Sequence, residues 1–257
     1  MNFKDIFSPE EYLEEFGEFL ETVEYSDRNP LNTEMFFMWC MVRTFKPRLF
    51  IESGTFRGYS ANFICGAMAC NDNESAFVTI GFDEDSCITF ARRRLEKYPF
   101  ATVVEGDSRI YIDKLTREER PTAFFIDGPK GKNMPPLFAA IRKKFDDILF
   151  IGVHDSEKRK YGSVNRKRVK QFYAPEFPIV FCDKTFQVCY QDMDERLIGK
   201  SELRSWKPFY FNGEKQECYG TETAYVLTKY PYKHPWIPRP LLRPYRWLIC
   251  SALRLWL

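Results

Sequence analysis

Five apolar stretches of this chain each stop at an acid or at a histidine and an acid. Leu49-Phe50-Ile51 stops at Glu52, Phe77-Val78-Thr79-Ile80-Gly81-Phe82 at Asp83, and Thr102-Val103-Val104 at Glu105-Gly106-Asp107. Ala123-Phe124-Phe125-Ile126 stops at Asp127, and Ile148-Leu149-Phe150-Ile151-Gly152-Val153 at His154-Asp155. Carboxylates accept hydrogen bonds from hydroxyls and hold cations, and an imidazole titrates near neutrality. Such groups brought together can hold a polar ligand and move a proton. The first stretch is followed by Gly54 and Gly58, four positions apart. Gly54 lets the backbone turn and approach a ligand with no Cβ in the way, and Gly58 lets a helix begin close to the strand.

These residues need elements that bring them to one place. In a buried parallel strand the side chains fill a core, so polarity appears only where the strand stops. Helices are predicted between the strands, near residues 60–70, 86–97 (Ile88, Ala91 and Leu95 on one face), 109–116 and 135–145 (Leu137, Ala140, Ile141 and Phe145 inward). Strand and helix in alternation imply right-handed crossovers and a parallel sheet. Ligands of such a sheet bind outside the carboxyl ends of its strands, so the polar ends converge on one edge.

Ahead of this unit, Ser8-Pro9-Glu10-Glu11 reads as a capping box with proline at the first helical position, and Leu13, Phe16, Leu20 and Val23 fall on one face. Asn32 or Thr33 caps a second helix carrying Met35, Phe36, Trp39, Val42 and Phe45, ended by Lys46-Pro47. Both are expected to cover the sheet or the crevice without chemistry of their own. Beyond Asp155 the regularity weakens. Residues 158–170 are basic and hold no acid, and strand-like pieces follow at 179–181, 186–190 and 223–228, the last two expected to make an antiparallel edge on the parallel sheet. A long polar excursion separates those two. From Pro231 onward the chain is basic, aromatic and free of acids, with five prolines. Such a tail suits an anionic membrane surface or packing on its own domain or a second subunit. The expected organisation is a helical cover over 1–47, the α/β unit over 48–230 and the tail over 231–257.

The 257 residues suffice for one large α/β domain with extensions. A net charge of +2 with 29% charged residues gives no global drive toward nucleic acid. The eight cysteines, Cys40, Cys65, Cys70, Cys87, Cys182, Cys189, Cys218 and Cys250, form no C-x-x-C pair, so a zinc site is not expected. Cys65 and Cys87 have the apolar helical surroundings of buried free thiols. The chain opens on an acidic amphipathic pattern instead of a basic head and apolar run, so no cleavable signal is expected. A reducing cytoplasm fits, with the tail able to reach the inner membrane face.

The ordered motifs over residues 49–155 resemble the class I S-adenosylmethionine-dependent methyltransferases. That resemblance implies an α/β fold: a Rossmann-like, doubly wound, mostly parallel seven-stranded sheet with an antiparallel edge, N-terminal helices and a C-terminal extension. It also implies that the loop of Glu52, Gly54, Thr55, Gly58 and Ser60 surrounds the methionine moiety of S-adenosylmethionine. Asp83 would bind the ribose hydroxyls, Asp107 and Ser108 would lie beside the adenine, and Asp127 would complete the cofactor set. Phe125-Ile126-Asp127-Gly128-Pro129-Lys130 and Val153-His154-Asp155 look like the small-molecule and sugar O-methyltransferases, the macrocin O-methyltransferase-like and cephalosporin hydroxylase-like proteins. Asp127 and Asp155 would end neighbouring strands, ~5 Å apart, and two carboxylates at that distance invite Mg²⁺ or another divalent cation. Such an ion would orient substrate oxygens and lower the pKa of the reacting hydroxyl. The Asp127-x-x-Lys130 spacing is similar to that of catechol-type enzymes, whose lysine acts as base. Lys130 and His154 are thus two base candidates, with Asp155 beside them. In the sugar enzymes a histidine commonly stands where this chain has Lys130.

The implied activity is O-methylation of a hydroxyl on a sugar, glycan or related small molecule, to which the basic run after Asp155 would draw an anionic acceptor. Two other readings use the same residues. A sugar-modifying NAD(P) oxidoreductase shares the topology, but Phe56 breaks the Gly-x-Gly-x-x-Gly fingerprint. A non-catalytic scaffold at a membrane would use the tail alone. Homo-oligomerisation stays open.

Overall fold

The computed structural model describes residues 2–23, 32–71, 74–156, 162–182, 186, 209–211, 214–216 and 223–230. Nine strands are described: β1 (Leu49–Ser53), β2 (Ala76–Gly81), β3 (Ala101–Glu105), β4 (Thr122–Ile126), β5 (Ile148–Val153), β6 (Ile179–Cys182), β7 (Phe209–Phe211), β8 (Glu214–Gln216) and β9 (Thr223–Val226). Seven of them form one sheet in the order β3-β2-β1-β4-β5-β9-β6, and β7 and β8 make a separate hairpin. β1 pairs in parallel with β2 and β4, β2 with β3, and β4 with β5. The first five strands therefore end on the same edge, which the alternation of apolar runs and helices predicts.

The helices are α1 (Leu13–Leu20), α2 (Asn32–Phe45), α3 (Tyr59–Ala69), α4 (Cys87–Leu95), α5 (Ser108–Lys114), α6 (Met134–Lys144) and α7 (Gly162–Tyr173). Successive strand residues point to opposite faces, so each strand feeds two cores. Phe50, Phe77, Phe125, Phe150 and Tyr225 pack toward α2 and α3, while Ile51, Ile80, Phe124, Ile151 and Val226 pack toward α5, α6 and α7. The result is a sheet covered by helices on both sides.

α2 is buried all round, from Met35 to Val42, as a helix apolar on every face must be. Phe37 stacks on Tyr225 at 4.6 Å, and Phe16 of α1 packs on Phe36 at 4.8 Å. Each such aromatic contributes about 1.5–3 kcal/mol through the area it removes from water. Polar ends are satisfied too, because Trp39 Nε1 and Arg43 Nε both donate to Glu15 Oε1.

Two expectations are corrected. The Ser8 side chain makes no capping bond. A tight 3₁₀ turn over Pro9–Tyr12 precedes α1, and the Glu11 N–H closes onto the Ser8 carbonyl instead. The antiparallel strand at 223–226 stands as expected and pairs with β5 and β6, whereas the strand-like piece expected over 186–190 does not begin as a strand at Phe186. All four residues of β9 are buried, so it needs neighbours on both edges and lies one strand in from the rim. Phe186 is helical and packs on Phe3 and Phe37. The tail at 231–257, most of the 191–222 excursion, residues 187–190 and the basic residues 158–160 lie outside the described residues. No described helix is long and apolar enough to cross a membrane.

Gly58, at φ +73°, ends the loop after β1, and a Cβ there would sit 3.0 Å from the Ala91 Cα. Alanine would meet both the left-handed backbone and the α4 wall. Gly58→Ala is expected to lower unfolding free energy by about 1–3 kcal/mol, read as a shifted urea midpoint at unchanged slope.

Candidate active site

The loop between β1 and α3 turns at Gly54, where φ is +108°. The Gly54 N–H bonds back to the Ile80 carbonyl at 2.8 Å, and the Asp127 and Gly128 N–H groups reach over to the Ser53 carbonyl at 2.8 and 3.0 Å. The loop is thereby stitched to the ends of β2 and β4. Its next residue but one, Phe56, also holds a positive φ of 42° with its ring half exposed, a conformation unusual for a bulky side chain.

Beneath the loop lies Glu52, with no exposed surface. Its carboxylate accepts from the Ser60 hydroxyl of α3 and from Thr79 Oγ1 of β2, and Thr79 is 2.6 Å from Thr55 Oγ1. Ser53 Oγ likewise donates to the Gly128 carbonyl and stands 2.6 Å from Ser108 Oγ. Glu52 thus acts from below, fixing the loop. Burial pushes its pKa from 4.5 up to about 7 against the pull of the two hydroxyls, and the Asp127 charge adds to the rise.

Asp83 and Asp107 follow the ends of β2 and β3. Asp83 is exposed, and its Oδ1 accepts from the Ile88 N–H at 3.0 Å. Asp107 caps α5 through the Arg109 N–H at 2.8 Å and pairs with the Arg109 side chain, which together hold its carboxyl below the usual range. A Cβ added at Gly106, just past β3, or at Gly128, just past β4, would meet nothing within 4 Å, so open space lies beside each of these two turns.

The acids after β4 and β5 form a second group. Asp127 Oδ1 is 2.9 Å from His154 Nδ1 and 2.9 Å from Lys130 Nζ, and Lys130 also pairs with Asp155. His154 Nε2 faces Glu34 Oε2 at 3.5 Å, and Glu34 accepts from Thr223 Oγ1 at 3.1 Å. Burial alone would lower the His154 pKa, but the Glu34 and Asp127 carboxylates outweigh it and push it up to about 10. The reading of His154 as a group that titrates near neutrality is therefore corrected. Burial would raise Asp127, yet the His154 and Lys130 cations hold it well below the ordinary carboxylate range.

Asp127, His154 and Asp155 each offer one ligand atom, all within 4.8 Å of one another. That spacing suits a shared cation, but Lys130 already reaches both carboxylates. The residues as placed do not fit a divalent ion.

Some of this set has no signature in the motifs. Glu34 comes from α2 and is marked only by being a lone acid in an apolar helix. Asn165 of α7, almost fully buried, accepts from the Gly131 N–H at 2.9 Å and donates to the Asp155 carbonyl at 2.9 Å. Thr79 is a lone hydroxyl inside a strand. Phe82 and Phe90 are exposed, and the Arg57 guanidinium lies 5.0 Å from the Phe90 ring and 5.7 Å from Phe56.

No protein-family model and no curated protein matches the chain. Solved structures do. The O-methyltransferase TomG of Streptomyces achromogenes, involved in tomaymycin synthesis and solved with S-adenosylmethionine, aligns with a TM-score of 0.51 at 16% identity, over 85% of this chain and 90% of that one. An O-methyltransferase of Bacillus cereus in complex with S-adenosylhomocysteine gives 0.52 at 17%, over 83% and 90%. The C-terminal domain of precorrin-6Y C5,15-methyltransferase from Rhodobacter capsulatus gives 0.51 at 12%, over 82% and 95%. The chain has the fold of these methyltransferases. A fold of this kind does not by itself fix a substrate.

A carboxyl group whose pKa rises on folding takes up protons as the chain folds, so its contribution to stability falls as pH climbs from about 4.5 through about 7. Urea titrations across that window should show wild-type stability declining and Glu52→Gln flattening the decline. Parallel curves for the two proteins would assign the decline to another group.

Proposed function

We propose that the chain is an S-adenosylmethionine-dependent O-methyltransferase acting on a hydroxyl of a small molecule, with a sugar or glycan as the acceptor class. The observation that carries this reading is the close approach of the two halves of the strand edge. A Cβ at Gly54 would lie 2.9 Å from the Gly128 nitrogen and 3.2 Å from the Asp127 Cβ. The loop suited to a methyl donor and the group suited to an acceptor are therefore in contact, and proximity of this kind is the main requirement of in-line transfer.

When bound, the cofactor supplies a methyl group already activated on a sulfonium. In this reading Gly54, Thr55, Gly58 and Ser60 enclose the aminocarboxyl end at the start of α3, where a helix N-terminus favours a carboxylate. Glu52 serves by holding that loop. Asp83, capping α4 with one oxygen, turns the exposed part of its carboxylate to the ribose hydroxyls, and Asp107 and Ser108 flank the base.

On the acceptor side, Asp155 receives the hydroxyl proton and the Lys130 ammonium stabilises the oxygen as negative charge develops. His154, its pKa held high, keeps its proton at neutral pH and orients Asp127. The exposed Lys167 and Lys170 of α7 favour an anionic acceptor. The sugar class rests on the motif resemblance at Asp127-Gly128 and His154-Asp155.

Titration with S-adenosylhomocysteine should raise the melting temperature, and NAD(P) should not. Asp83→Ala should weaken that binding about ten- to a hundredfold, as loss of hydrogen bonds to a charged group does. A product one methylene heavier than its acceptor, seen by mass spectrometry, would complete the assignment. A response to NAD(P) alone would overturn it.

A further inference from the structure

The group of residues after β4 and β5 has the number and spacing of acids that a divalent ion would use, yet its centre is taken. Lys130 Nζ lies 2.9 Å from Asp127 Oδ1 and is bonded to Asp155 as well. We infer that Lys130 is the resident cation of this site, standing between Asp127 and Asp155 where a divalent ion would have to go, and that the site works without a metal. The inference deepens the methyltransferase reading by assigning the charge on its acceptor side.

Three observations support it. The position of Lys130 is built by its surroundings: Asn165, almost fully buried, ties the Gly131 N–H to the Asp155 carbonyl, so the loop carrying Lys130 and the backbone of Asp155 are fixed by one side chain. Both ring nitrogens of His154 are directed at carboxylate oxygens, Asp127 Oδ1 at 2.9 Å and Glu34 Oε2 at 3.5 Å, and no ring lone pair is left to turn toward an ion. The donor set is also wrong for the ion expected. Mg²⁺ demands a near-ideal octahedron of oxygens at ~2.0–2.1 Å, and imidazole suits softer metals.

Charge balance points the same way. Asp127 and Asp155 face Lys130 and His154, so a divalent ion added among them would meet two basic groups at hydrogen-bonding distance from the same carboxylates. An ammonium needs no coordination geometry and brings three donors, enough for both carboxylates and one acceptor oxygen.

The test is uptake of Mn²⁺ alone, followed by its electron paramagnetic resonance signal and by calorimetry, on wild type, Lys130→Met and Lys130→Gln. Wild type is expected to leave the free-ion signal unchanged at millimolar Mn²⁺. Each substitution removes one positive charge from the gap and should tighten binding by about a hundredfold, with Asp155→Asn in the same background abolishing it. Circular dichroism melts establish that each variant is folded, and two variants guard against one failing to fold. Stoichiometric Mn²⁺ binding by wild type, lost in Asp127→Asn, would overturn the inference. So would Lys130 variants that are folded and still take up no Mn²⁺, because the gap would then lack affinity whether or not lysine filled it. Titration with S-adenosylhomocysteine on the same proteins reports separately on the methyltransferase reading.

Discussion

Everything at the strand edge depends on how closely two backbones pass. Gly54 comes so near Asp127 and Gly128 that a single methyl group would strike the peptide between them. Four N–H···O=C bonds hold that approach, from Gly54 and Thr55 onto the Ile80 carbonyl of β2 and from Asp127 and Gly128, just past β4, onto the Ser53 carbonyl of β1. Because the loop is fixed on both sides, whatever it holds is placed against Asp127 with little freedom to drift.

Around the approach the chain has placed four buried or half-buried acids, and it manages them in two different ways. Among the described residues no cation is bonded to Glu52, and it is answered by hydroxyls and by a raised pKa. Asp127, Asp155 and Glu34 are answered by the two basic side chains between them. Desolvation dominates the first case and mutual attraction the second. The edge is consequently polar without being a large net charge. That separates a floor of hydroxyl-bonded carboxyl under the loop from a wall of ion pairs next to it.

How much of this was legible in the sequence follows from the range over which each feature acts. The five strand ends, the glycine bend and the four intervening helices are local patterns of period and punctuation, and they stand where the residues place them. Asp127 and Lys130 are three residues apart, so their meeting needs only a turn. Glu34 and His154 meet from distant parts of the chain, and the apolar residues around Glu34 speak of a core helix, not of a site. Asn165 gave no signal either, since a lone amide amid basic residues has the composition of a solvated face. The strand at 223–226 was visible as a strand, but its insertion between β5 and β6 is a property of the sheet, which no periodicity within four residues encodes.

The hydrogen bond from Thr223 to Glu34 spans 189 positions of chain. One of its ends belongs to an early helix and the other to a strand that arrives close to the end of the described residues, and Glu34 in turn faces His154 Nε2. A contact of that span is among the most non-local in the fold, and contacts of high sequence separation carry the largest closure entropy. The surroundings of His154 are in that sense assembled from the two flanks of the described chain and not from the central strands alone.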